Sequence, residues 1–127
     1  MRTYTLIFAL LTVGLFACKD ETPTKKTETE EPITYDGNWS GSYSGDDNGT
    51  LDIAIDVSNA ITGFGKSNVT TETFTITGSI NTEGELVNVK TDVGTDLIGS
   101  LTATSGSGTW INNTSNTAGH WTISKNP

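Results

Sequence analysis

The sequence predicts an all-β domain: an antiparallel meander of about eight short strands, closed as a small up-and-down barrel or flattened into a sandwich. Three observations carry this. From Asp36 onward apolar and polar residues alternate at a period of two, as in strands with one buried face. Clusters of Gly, Asn, Asp and Ser interrupt the alternation at about 10-residue intervals, the spacing of hairpin-connected strands. Threonine and glycine are abundant while runs of helix formers are lacking, so the local preference is for strands and turns.

The elements follow in order. A first strand over residues 37–43 sets Trp39 and Tyr43 on one face, and Asp46, Asp47, Asn48 and Gly49 then supply a turn. The clearest strand spans residues 51–57, with Leu51, Ile53, Ile55 and Val57 opposite Asp52 and Asp56. Residues 60–67 form a third strand. Residues 71–80 form a fourth, with Phe74, Ile76 and Ile80 inward and threonines outward. Thr82, Glu83 and Gly84 turn the chain and residues 86–93 return it. A sixth strand over residues 97–103 places Leu97, Leu101 and Ala103 around Gly99.

Residues 105–108 lead to Thr109, Trp110 and Ile111, and a loop over 112–119 precedes a last strand, 120–124, with Trp121 and Ile123 inward. Glycines within strands, at positions 41, 63, 65, 78 and 99, suit the bends of a tightly curled sheet. Phe64, Ile98 and Ile111 fall opposite the inward residues, where they would form an exposed apolar patch that marks an interaction site.

Gly37-Asn38-Trp39 opening the first strand, with Lys125 just after the last, is similar to the Gly-x-Trp and closing basic residue of lipocalin-like and avidin-like barrels. That resemblance covers four positions and implies a basic side chain capping the Trp39 ring at one barrel end. It supports the architecture and carries no ligand with it.

The N-terminus reads differently. Arg2, an apolar run from Leu6 to Phe16 and small Ala17 have the three parts of a secretory signal. The run is too short for a hydrocarbon core that needs roughly 20 residues. Leu15-Phe16-Ala17-Cys18 resembles the lipobox of bacterial lipoproteins, with Phe16 where a small residue is usual. The resemblance implies cleavage before Cys18 and diacylation of its sulfur. Lys19-Asp20-Glu21 resembles the lysine-plus-acids export tag of surface lipoproteins of the Bacteroidota. It implies an outer-membrane anchor facing the cell exterior, with the periplasmic face as the alternative.

The expected division is thus a cleaved signal at 1–17, a lipidated cysteine and disordered tether at 18–35, and the β domain at 36–127. In the tether, threonine alternates with charge around two prolines, a composition that buries too little surface to fold. Cys18 is the single cysteine, so no disulfide supports the domain. Once Arg2 leaves with the signal, six lysines face fifteen acids, a net charge of −9. That balance disfavours nucleic acid, whose binding rests on phosphate neutralisation.

Little chemistry is legible. A hydrolytic triad needs a base set against a nucleophile, yet His120 is the single histidine and no serine lies in Gly-x-Ser-x-Gly. One histidine and no free thiol do not make a zinc site. Asp46 to Gly49 lack the spacing of a calcium loop. The acids sit singly on outward positions and in turns. The expectation is therefore no enzyme, no metal and no cofactor. Trp39, Trp110 and Trp121 are the largest apolar groups and serve the core; in the functional alternative they contact a ligand or partner, Trp110 foremost.

The expected function is a membrane-anchored, non-catalytic binding module for a protein, glycan or small apolar ligand. The alternatives are an envelope component or inhibitor acting by surface occupation, and a ligand-binding lipocalin-like barrel. An open interior lined by tryptophans points to a ligand. A solid core under an apolar patch points to a protein partner, and three acids converging in a cleft point to catalysis.

Overall fold

The structure is a computed structural model that describes residues 32–127; the signal, Cys18 and the Lys19, Asp20, Glu21 triplet lie outside the described residues. Eight strands follow one another: β1 (Gly37–Gly45), β2 (Gly49–Ile55), β3 (Ala60–Ser67), β4 (Thr73–Ile80), β5 (Leu86–Thr91), β6 (Thr95–Leu101), β7 (Ser105–Asn112) and β8 (Thr117–Lys125). Each pairs antiparallel with the next, and β1 pairs antiparallel with β8 to close a barrel. A meander with an even number of strands can close this way without reversing a pairing. Of the two closures open to the sequence, the barrel is the one that forms.

Inward residues follow the period of two. Trp39, Tyr43, Leu51, Ile55, Ile61, Ile76, Ile80, Val89, Leu101, Trp110, Trp121 and Ile123 are all buried. Phe64, Ile98 and Ile111 point out, as their parity predicts, at 55%, 59% and 39% exposure. They do not make one patch, because β3 stands three strands from β6 around the wall. Only Ile98 and Ile111, on adjacent β6 and β7, are near each other across the sheet.

Most strand ends differ from the sequence reading by a few residues: β1 runs on to Gly45, β4 starts at Thr73, β5 ends at Thr91 and β6 starts at Thr95. Val57 is 91% exposed in the β2–β3 turn, because Asp56 ends the ladder by accepting bonds from the Ser58 and Ala60 amides. Ser105 to Gly108 are strand, and Thr117 to Gly119 open β8, so the β7–β8 turn is confined to residues 113–116. Ala103 lies beyond β6 and is exposed.

The two barrel ends are unlike. At the end where the chain enters, Trp39 is wholly buried and its Nε1 donates to the Tyr35 carbonyl at 2.9 Å. Tyr35 belongs to the tether as read from sequence, but here it is buried and its hydroxyl lies against Gly84. Lys125 Nζ stands 5.9 Å from the Trp39 ring centroid, and its Cε would meet a Cβ on Gly37. This end is plugged. The other end carries the β1–β2, β3–β4, β5–β6 and β7–β8 connections and is open.

Candidate functional site

The open end leads into a cavity of about 390 Å³, near the lower bound of small-molecule sites, which run from roughly 300 to 1,000 Å³. An eight-stranded barrel is just wide enough to be filled by its own side chains or to hold one small ligand. Four aromatic side chains line this cavity, and how they sit decides between those outcomes.

Each packs against a glycine across the barrel wall. Tyr43 covers its cross-strand partner Gly49, where an added Cβ would lie 2.8 Å from the ring. Phe74 covers its partner Gly65, and Trp110 covers Gly119, 2.6 Å from such a Cβ. Trp121 reaches past Gly108 on β7 to Gly99 on β6, whose φ of +153° favours glycine. Bare backbone at these points lets rings of this size press against the wall, so a cavity persists at the open end, above a middle filled by Ile61, Ile76, Val89 and Ile123.

Hydrogen bonds hold the rings there. Trp110 Nε1 donates to the Ser44 carbonyl at 3.0 Å. Trp121 Nε1 donates to the carbonyls of Thr109 at 3.0 Å and Ile98 at 3.2 Å. Tyr43 meets Phe74 and Trp110 edge-to-face, with centroids 5.9 and 5.8 Å apart. Leu51 and Leu97 complete the apolar floor.

The rim is polar and ordered by side chains. Asp47 accepts from the Tyr43 hydroxyl at 2.9 Å, the Ser67 hydroxyl at 2.9 Å and the Asn48 amide at 2.8 Å. Burial, then the hydrogen bond to Asp47 and its charge, push the Tyr43 phenol up to about 12, so it stays a neutral donor. Asn112 is nine-tenths buried and fully used. Its Nδ2 donates to the Val93 carbonyl and Thr95 Oγ1, and its Oδ1 accepts from the Thr114 and Ser115 amides. Asp46 Oδ2 accepts from the Ala118 amide at 3.0 Å, tying the β1–β2 turn to β8. Exposed Val69 and Val93 give the mouth two apolar lips.

The structure brings Trp110 and Trp121 together in the cavity wall. Trp39 lies at the plugged end and lines no part of the cavity. His120 is on the outer face of β8. Tyr43, Phe74, Asp47 and Asn112 are cavity residues that sequence reasoning missed. The signal that could have found the rings is glycine at Gly49, Gly65 and Gly119, opposite each ring once the register is known.

Asp46, Asp47 and Glu72 all line the mouth, the convergence of acids set above as the mark of catalysis. Asp46 and Asp47 are engaged in holding their turn, Asp46 by accepting from the Ala118 amide and Asp47 from Tyr43, Ser67 and Asn48. Among the described residues no group of three or more His, Cys, Asp or Glu side chains is placed to hold a metal ion. No family model matches the chain, and no curated protein or solved structure matches it either.

Proposed function

We propose that the chain is a bacterial lipoprotein, held through Cys18 to the outer membrane with its barrel facing the exterior, and that the barrel binds a small ligand non-catalytically. The lipobox-like Leu15 to Cys18 and the Lys19, Asp20, Glu21 triplet support the anchor. The observation that carries ligand binding is the open cavity of about 390 Å³ walled by Trp110, Trp121, Tyr43 and Phe74. Of the three expected functions this is the lipocalin-like one, favoured because the interior is neither solid nor closed at both ends.

The neutral fluorescent probe N-phenyl-1-naphthylamine tests the cavity. It should gain fluorescence on mixing with the chain and lose it when Leu97→Trp, at a cavity-lining position, fills the lumen. An unchanged signal in that variant overturns the reading. For the anchor, Cys18→Ala should release the protein from membranes, and protease shaving of intact cells should remove the domain of the parent chain. Unchanged fractionation of the variant would sink the anchor.

Surface occupation of a protein partner is the second reading. It is favoured by Ile98 and Ile111, exposed on adjacent strands of the outer wall.

A further inference from the structure

We infer that the cavity selects an organic cation: an ammonium group carried on a small apolar body. This rests on the ligand-binding reading above and adds the chemical class of the ligand.

Three observations converge. Every charged side chain lining the cavity is a carboxylate, namely Asp46, Asp47 and Glu72, and no Lys, Arg or His lines it. An anion would meet a like-signed field, which the acidic balance of the whole chain reinforces.

The second observation concerns donors. Trp110 Nε1, Trp121 Nε1 and both hydrogens of Asn112 Nδ2 are committed to protein acceptors. The Tyr43 and Ser67 hydroxyls are committed to Asp47. Among the described residues no buried side-chain polar atom is left without a partner. The side-chain N–H donors of the cavity are thus all used. The donors that remain are neutral hydroxyls such as Thr91 and Thr95, whose Oγ1 atoms only accept. No charged donor is left to offset the desolvation of an anion. Acceptors remain: the Glu72 carboxylate takes no hydrogen bond from the described residues, and Asp46 uses only Oδ2.

The third is the wall itself. Tyr43, Phe74 and Trp110 present aromatic faces and edges around one space, and a cation near such faces is attracted by the ring quadrupole. Quaternary ammonium groups suit this best, being weakly hydrated and needing no donor from the protein. Val69 and Val93 at the mouth accommodate the apolar remainder.

The test compares three probes of similar shape on the full chain: benzyltrimethylammonium, its neutral carbon isostere neopentylbenzene, and benzenesulfonate. Binding is read by tryptophan fluorescence and by displacement of N-phenyl-1-naphthylamine. The cation should bind roughly tenfold tighter than the neutral isostere, and the anion weakest. Added salt should narrow the gap between cation and isostere. Glu72→Lys, an exposed change with no protein partner to lose, should cost the cation about tenfold more than it costs the isostere. Equal binding of cation and isostere, with no effect of salt or Glu72→Lys, overturns the charge selectivity and leaves the cavity reading standing. Tighter binding of the sulfonate overturns it outright. If no probe binds, both readings fall.

Discussion

The indole of Trp110 rests on Gly119, and a Cβ on that glycine would lie 2.6 Å from Nε1 and closer still to the Ser44 carbonyl. Gly119→Ala should therefore destabilise the domain by about 1–3 kcal/mol, the usual cost of overpacking. Equilibrium urea denaturation followed by tryptophan fluorescence checks it. A midpoint equal to the parent's would mean that the ring and strand move apart freely.

At the plugged end, Lys125→Met removes the charge over Trp39 and keeps most of the stem. A loss of about 0.5–1 kcal/mol is expected, the range of a cation–π contact near the surface. Trp39→Ala should cost about 3–5 kcal/mol, because the indole is wholly buried. Thermal denaturation of both variants measures the contrast, and equal losses would show that the cap matters as much as the ring.

Tyr43 gives the cavity an alkaline signature. Its phenol is raised from 10.0 to about 12 in the folded state. The folded protein therefore holds a proton that the unfolded chain releases between those values. The contribution is fully present below pH 10 and lost as pH rises toward 12. Tyr43→Phe should flatten stability over that window, and the phenolate absorbance missing from the variant should titrate near 12. A midpoint near 10 would contradict the Tyr43–Asp47 geometry.

Asp56 gives the opposite signature in acid. Its carboxyl lies below the usual aspartate value of 3.8, held there by hydrogen bonds from the Ser58 hydroxyl and the Ala60 and Ser58 amides. A lowered carboxyl stabilises the fold above the unfolded value, and the contribution is lost as pH falls through the folded one. Asp56→Asn should thus weaken the domain at neutral pH, with the deficit closing below about 3.8. A deficit that persists unchanged at pH 2 would assign the turn's stability to geometry without charge.

The barrel's seams are unequal. β5 pairs with β6 only at Val89–Leu97 and Lys90–Asp96, beside Asn88 at a φ of 50° and a register shift on the β4 side. The one ion pair among the described residues, Lys90–Asp96 at 3.2 Å, lies on this seam and is solvent-exposed, so it adds little. Amides of β5 and β6 should exchange with deuterium before those of β7 and β8, whose pairing runs unbroken from Ser105–Ser124 to Asn112–Thr117. Slower exchange at β5 would mean that side-chain packing dominates the seam.

Much of this fold is legible in the sequence because burial alternates residue by residue. Leu51, Ile55, Ile76, Trp121 and Ile123 point inward for the same reason that Phe64 and Ile98 point out. The errors have a common cause. Ser105 to Gly108 have the composition of a turn, yet Gly106 and Gly108 are strand residues kept bare because Leu101 and the neighbouring backbone press on them. Glycine that favours a turn locally is here selected by what lies across the ladder. The cavity was illegible for that reason: its walls depend on which ring faces which glycine, and register is a property of pairs of strands.

Both chain ends of the barrel lie on its plugged side, Tyr35 beneath Trp39 and Lys125 beside Gly37. Among the described residues neither chain end crosses the mouth, which is ringed by the four connections. The turns of the mouth and the Trp39 plug are therefore separate regions of the described barrel. Insertions in the residue 113–116 turn could then reshape the mouth without disturbing the Trp39 plug.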